Sequence, residues 1–269
     1  MRKGLLETVI TGGRTRTSHA QVVNELGRSI ISGKRAVGSL LPNDAELAAQ
    51  FHVSRTVLRE AMKTLAAKGL VVPRAKIGTR VTPTHQWNLF DVDILNWHFD
   101  VGVSEPFLIH LSEIRFAFEP TAAGLAARHA SPDDIAKITR LAAAMDNPAH
   151  SAESIAHVDL EFHLAVLDAS RNPFLRTMGN LIEAALAGIF RLSSPADTEH
   201  ERIHETAVAH IRIIEAIARR DEDGAKRAME EVIRTGSHHM MIALRRQKQP
   251  PGSPDRTAVS PALDGSYRS

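Results

Sequence analysis

Asn43-Asp44-Ala45-Glu46-Leu47-Ala48-Ala49-Gln50-Phe51-His52-Val53-Ser54-Arg55-Thr56-Val57-Leu58-Arg59-Glu60-Ala61-Met62-Lys63 is the stretch on which the fold turns. Asn43 with Glu46 three residues on reads as a near capping box, each side chain serving the other's backbone N–H. Leu47, Ala48 and Phe51 then form the inner face of a short helix. His52-Val53 make the turn, and Ser54 caps a second helix. Val57, Leu58, Ala61, Met62 and Leu65 face inward on it, and Gly69 ends it. Arg55, Thr56, Arg59 and Lys63 lie at i, i+1, i+4 and i+8, which is one stripe. A guanidinium fork matches guanine O6/N7 or a phosphate, and a helix N-terminus favours an anion. Such a helix can show a polar face to a major groove while its other face holds a core.

Working outward, Val22, Val23, Leu26, Ile30 and Ile31 recur at helical spacing from Ser18, and Gly33 stops the run. Val37–Pro42 is a turn. Leu70-Val71-Val72 and Arg80-Val81-Thr82 are β-like and flank Ala75-Lys76-Ile77-Gly78, a small hairpin with Lys76, Gly78 and Arg80 at or beside its tip. Helix, short helix, turn, helix, hairpin is the order of a winged helix-turn-helix. Charge agrees: residues 1–85 carry +9, residues 86–245 carry −9 and residues 246–269 carry +2, within a total of +2 for 269 residues. A basic module joined to an acidic one suggests that the first meets a polyanion. The absence of cysteine excludes disulfides, thiolate metal sites and a cysteine nucleophile. An aromatic share of 4% disfavours a base-stacking reader of single strands. With no apolar run near the roughly 18 residues of a membrane span and no secretory h-region, the expected setting is cytoplasmic.

The fold expected is mainly α, an N-terminal winged helix-turn-helix followed by an all-α bundle of six to seven helices. Residues 1–17 read as a flexible basic arm, 18–83 as the DNA-binding domain, 84–104 as a connector, 105–246 as the helical domain and 247–269 as a disordered, Pro-rich tail. In the connector Trp87, Phe90, Ile94, Trp97 and Phe99 recur roughly helically, as packing between domains. In the bundle Ser104 caps a helix over 105–130, with Pro120 expected to kink or end it. Further helices are expected at 132–145, 151–169, 172–193, 199–220 and 222–246.

Asp159 and His163 stand four apart and share a helix face; His210 lies on a later helix. A carboxylate and imidazoles from facing helices suit a borderline divalent metal such as Zn²⁺, Ni²⁺ or Mn²⁺, and solvated or core histidines are the plainer alternative. The only general base nearby is Glu161, on another face of the helix, so a metal-dependent enzyme is not the expectation. Arg115 is placed to fork onto a carboxylate, or to pair internally with Glu113 or Glu119.

Gly33…Val37-Gly38-Ser39-Leu40-Leu41-Pro42…Glu46-Leu47-Ala48…Val53-Ser54-Arg55…Leu58-Arg59-Glu60-Ala61…Leu65…Gly69-Leu70-Val71 resembles the DNA-binding domain of the GntR family of bacterial transcription regulators. Glu113-Ile114-Arg115…Glu119-Pro120, Asp159–His163, Asn172-Pro173, His210 and Asp221…Ala225 resemble the FCD-type effector domain of its FadR subfamily. Trp87-Asn88…Asp91–Trp97 further resembles the branch that includes the galactonate-operon repressor. The resemblance implies a homodimer on palindromic double-stranded DNA, with Arg55 and Arg59 on bases or phosphates and the wing around Gly78 in the minor groove. It implies a small carboxylate effector, a sugar acid such as an aldonate, met by Arg115, and a metal on Asp159, His163 and His210. Two departures stand out. Ala45 occupies a position where some members carry Arg, and Val232 occupies that of the usual fourth metal ligand, a histidine.

Overall fold

The computed structural model describes residues 17–147, 149–192 and 199–248. The basic arm, apart from Thr17, and the tail beyond Lys248 lie outside the described residues.

The head begins with α1 (Ser18–Ile31), α2 (Asp44–Gln50) and α3 (Arg55–Ala67), each started by a side-chain cap. Asn43 and Glu46 form the full capping box, and Ser54 Oγ accepts the Val57 N–H. A lost cap of this kind typically costs about 1 kcal/mol. β1 (Val71–Arg74) pairs antiparallel with β2 (Gly78–Val81), Val71 opposite Val81. The α1–α2 loop adds a third rung, because Leu40 bridges Arg80 and Leu41 N–H donates to Thr79 O. Val22, Val23, Leu26, Ile30, Leu47, Leu58, Ala61, Leu65, Leu70 and Val81 close one core between these elements.

The connector departs from a continuous helical pattern. A 3₁₀ turn at Thr84–Gln86 precedes α4 (Val92–Val101), capped by Asp91. Trp87 is half-buried and Phe90 is 52% exposed, so helical packing starts only at Val92. On α4, Ile94 and Trp97 join the head core, whereas Leu95 and Phe99 join a core of the bundle. Trp97 Nε1 donates to Asn24 Oδ1 at 2.9 Å and its ring lies flat against Gly27, where an added Cβ would meet ring carbons at 2.5 Å. Lys68, at the end of α3, reaches Asp91 and Asp93 at 2.6 and 2.8 Å. One short helix therefore belongs to both domains.

The bundle comprises α5 (Glu105–His129), α6 (Pro132–Met145), α7 (Ala152–Ala169), α8 (Pro173–Thr177), α9 (Gly179–Leu192), α10 (Glu199–Ala218) and α11 (Glu222–Lys248). α5 runs on through the buried Pro120 instead of ending there, and it packs against α7, α9, α10 and α11. The single helix expected over 172–193 is two. Asn172 starts α8, which stops at Met178, and α9 restarts at Gly179, where an added Cβ would stand 2.7 Å from Leu164 Cδ2.

Candidate functional site

Leu58, Ala61 and Leu65 anchor the inner face of α3, so the opposite face must meet solvent. Arg55, Thr56, Arg59 and Lys63 are all exposed there, and Ser54 is held by its cap. Lys63 is tied to Glu60 at 2.9 Å, which pulls the Glu60 carboxyl below its usual range. At the wing tip Lys76 and Gly78 take the positive φ values a tight turn demands, +61° and +112°. Arg80 is also exposed, but one guanidinium nitrogen donates to the Gly38 carbonyl. Its contribution is thus partly to hold the α1–α2 loop against the wing. The basic stripe and the basic wing tip belong to one small domain with no acidic side chain in the stripe except Glu60.

The second site is buried. Asp159 and His163 come from successive turns of α7 and His210 from α10. Asp159 Oδ1 lies 2.9 Å from His210 Nε2 and 3.4 Å from His163 Nε2, and the two Nε2 atoms are 3.4 Å apart. Phe162 packs edge-on against both rings and forms one wall. His163 and His210 are sealed, while the Asp159 side chain keeps 17% exposure.

The other nitrogen of each ring explains this convergence. His210 Nδ1 is 2.7 Å from the Thr206 carbonyl, which can only accept, so Nδ1 carries the proton and Nε2 a lone pair. His163 Nδ1 is 2.6 Å from Glu119 Oε2, off the line of an ideal N–H bond; at that separation from a carboxylate Nδ1 must again be protonated. Asp159 Oδ1 is buried and accepts no well-aligned hydrogen bond. With both rings neutral, as a bound cation requires, three acceptors therefore face one point. An ion bonded at about 2.0–2.1 Å separates its ligands by about 2.9 Å at right angles and about 3.4 Å at tetrahedral angles. The triangle of 2.9, 3.4 and 3.4 Å fits that span.

Without a cation, the same arrangement polarises every group. Burial opposes the charged imidazole of His163, but Glu119 and Asp159 outweigh it and raise its pKa to about 9. Burial likewise opposes the Glu119 carboxylate, yet Arg115 and His163 bring it down to about 2. Asp159, despite burial, is held far below the usual carboxylate range by the two imidazoles. Arg115 Nε donates to Glu119 Oε1 at 2.5 Å, and Arg115 is 6% exposed. Of the alternatives for Arg115, its pairing with Glu119 is the one observed; Glu113 is on the exposed side of α5. Val232 is 9% exposed in the apolar cluster that includes Phe162 and Ala207, and offers no donor. Glu119 is the site residue that the sequence reading gave no role toward the histidines. Its signal was the i, i+4 spacing from Arg115.

A winged helix-turn-helix joined to an all-helical domain defines a transcription regulator, and this chain belongs to the GntR family. Residues 18–81 match the bacterial regulatory proteins of the gntR family, and residues 110–235 match the FCD domain. Two Escherichia coli K12 proteins are similar over most of their lengths. The HTH-type transcriptional regulator YieP is 33% identical over 80% of this chain and 91% of its own. The galactonate operon transcriptional repressor is 30% identical over 82% of this chain and 95% of its own. Among solved structures, Lar, described as controlling the Listeria monocytogenes agr system, covers 86% of this chain and 99% of its own at 20% identity with a TM-score of 0.59, which speaks for the fold. Family and relatives are regulators, not enzymes. No helix of the described residues is long and apolar enough to cross a membrane.

Proposed function

We propose that this protein is a homodimeric, cytoplasmic repressor of a sugar-acid catabolic operon. Two heads read a palindromic operator, and a small carboxylate entering the bundle releases them. Arg55, Thr56 and Arg59 work in the major groove, with Lys63 beside them. Lys76, Gly78 and Arg80 approach the minor groove or its phosphates. The similarity to a galactonate operon repressor supports an aldonate as the effector class; lactate or a dicarboxylate is the competing class.

The observation that carries the effector reading is the meeting of three ligand atoms, Asp159 Oδ1, His163 Nε2 and His210 Nε2, in a buried cluster near Arg115. The donor set fits a divalent ion such as Zn²⁺, Ni²⁺ or Mn²⁺ held by these three residues. The ion would supply a positive charge toward which a carboxylate oxygen is drawn. Arg115, paired with Glu119, borders the cluster, and the exposed edge of Asp159 marks the way in. The effector acts by favouring one arrangement of bundle and head over the other. α4, packed on α1 in the head and α9 in the bundle, is the element through which that preference reaches α3.

The test is a thermal-shift screen of metal-loaded protein against aldonates, uronates, lactate and dicarboxylates, followed by operator release with each stabilising compound. An aldonate that both stabilises and releases is the expected result. Stabilisation confined to lactate or a dicarboxylate overturns the aldonate assignment, and release by no carboxylate overturns the class.

A further inference from the structure

We propose that Glu119 is the positioning residue of the metal centre, fixing His163 so that Nε2, not Nδ1, faces Asp159 and His210, with Arg115 holding Glu119 in place. The inference rests on the metal reading above and deepens it.

The two histidines are oriented by different means. His210 is set by a backbone carbonyl one turn back on its own helix, Thr206 O at 2.7 Å. That acceptor comes with the helix and no substitution removes it. The corresponding carbonyl is not what meets His163 Nδ1; the atom 2.6 Å away is Glu119 Oε2, from α5. Glu119 is 1% exposed, and its other oxygen takes the Arg115 Nε proton at 2.5 Å. Both its oxygens are therefore engaged: Oε1 by Arg115 Nε, and Oε2 by Arg115 Nη2 at 3.4 Å and by the close approach of His163 Nδ1. Arg115 stands i−4 to Glu119 on α5, so a single helix delivers the carboxylate together with its counter-ion.

The chemistry needs this arrangement. A neutral imidazole has one lone pair, and whichever nitrogen keeps the proton cannot bind a metal. If His163 flipped to the Nε2–H form, one of the three converging acceptors would become a donor. It would then satisfy Asp159 by a hydrogen bond, and the metal site would close on itself. A buried carboxylate at Nδ1 rules that form out, and it also makes the ring a stronger ligand. Glu119 never reaches the metal position, because His163 stands between. Its role is orientation and polarisation. The pair also assigns Arg115 a duty beyond the effector: its two N–H bonds fix the carboxylate of Glu119 against His163.

The experiment titrates Co²⁺ and Zn²⁺ into metal-free full-length protein, following the visible Co²⁺ bands and the calorimetric affinity. Glu119→Gln is expected to weaken both ions by about 10–100-fold, the range for loss of such an orienting partner, and to alter the Co²⁺ spectrum. A folded Glu119→Gln with wild-type affinity and spectrum overturns the proposal. Wild-type protein that binds neither ion overturns the metal reading itself, which is a different result. Because Glu119→Gln risks misfolding, the second measurement uses wild-type protein alone. ¹⁵N–¹H correlation of metal-free protein labelled at histidine, with His163 assigned by its absence in His163→Gln, reports which ring nitrogen carries the proton. Recorded at a pH high enough for the metal-free ring to be neutral, His163 is to show a protonated Nδ1 and a bare Nε2; a resonance from the neutral Nε2–H form overturns the assignment of Glu119.

Discussion

Two buried charge clusters flank the connector, one on the head side and one in the bundle, and they are put together differently. On the head side, the Lys68 side chain is 8% exposed, within 2.8 Å of Asp91 and Asp93, with its ammonium 5.9 Å from the Trp97 ring centre. Three ammonium protons meet two carboxylates and an aromatic face. In the bundle, Arg115 and Glu119 pair just as fully, but Asp159 sits between two imidazoles whose Nε2 atoms, when the rings are neutral, turn lone pairs toward the same point. The first cluster is complete and ties α3 to α4. The second gathers a carboxylate and two imidazoles at one point, a donor set that would suit a cation. Buried polar groups that satisfy one another hold elements together; surplus lone pairs aimed at one point make a binding site.

The sharpest way to break this contrast is Lys68→Met. It strands Asp91 and Asp93 side by side; because both carboxylates keep about a quarter of their exposure, the loss should fall below the roughly 3–5 kcal/mol of a fully buried pair. Denaturant titration of the full chain should show that loss, and Zn²⁺ affinity should not change. A variant as stable as the parent would mean that solvent already screens the Lys68 cluster, and the two sites would differ less than claimed.

Asp159→Asn is the mirror experiment. Zn²⁺ affinity should drop by at least about 100-fold, roughly 2.7 kcal/mol, because an amide oxygen is a poor substitute for a carboxylate ligand. Metal-free stability should fall as well, since the two imidazoles favour the Asp159 charge in the folded protein. Calorimetry and denaturant titration together decide it; undiminished Zn²⁺ binding would take Asp159 out of the donor set.

The sequence made the two clusters unequally legible. Asp159 and His163 announced themselves by their i, i+4 spacing, a property of one helix. His210 lies 47 positions further on, and only the family resemblance joined it to them before α7 and α10 were seen together. Arg115 and Glu119 were readable as neighbours on α5, but the contact of Glu119 with His163 depends on α5 packing against α7. Lys68 gave no local signal, because its partners lie 23 and 25 residues ahead, beyond the wing. The caps, the hairpin and the exposed stripe of α3 were readable because each is decided within a few residues. The break at Met178 was not: Pro173 at the first turn of a helix and the apolar run after it are equally consistent with one helix or two.

Arg59→Ala tests a third kind of charge, one that needs no burial. Arg59 is exposed and touches neither cluster, so stability and metal binding should be unaffected. Operator affinity should fall by about 1–3 kcal/mol if the guanidinium reads a base, or more modestly with a salt slope shallower by about one if it meets a phosphate. A gel-shift series with neither change would contradict the placing of α3 in the groove.

The smallest effect belongs to His98, which lies on α4 between the two clusters and is part of neither. Its ring stacks on Phe107 of α5 with centroids 4.4 Å apart, and Nε2 is buried without a hydrogen bond. Burial alone lowers its pKa to about 4, against 6.5 when exposed. The unfolded chain therefore takes up this proton first as pH falls. The neutral ring's contribution is whole above about pH 6.5, shrinks down to about pH 4 and is constant below. His163 moves in the opposite sense and elsewhere: with its pKa raised to about 9, what its protonation adds to metal-free protein is lost only as pH rises above 6.5. The two windows do not overlap, so metal-free protein melted at about pH 6.5 and about pH 5 reads His98 with His163 unchanged. His98→Phe keeps the stack and removes the proton; it should lose less thermal stability between those two conditions than the parent. Equal losses would mean that His98 is solvated in solution, and that the joint between α4 and α5 is looser than the stacking implies.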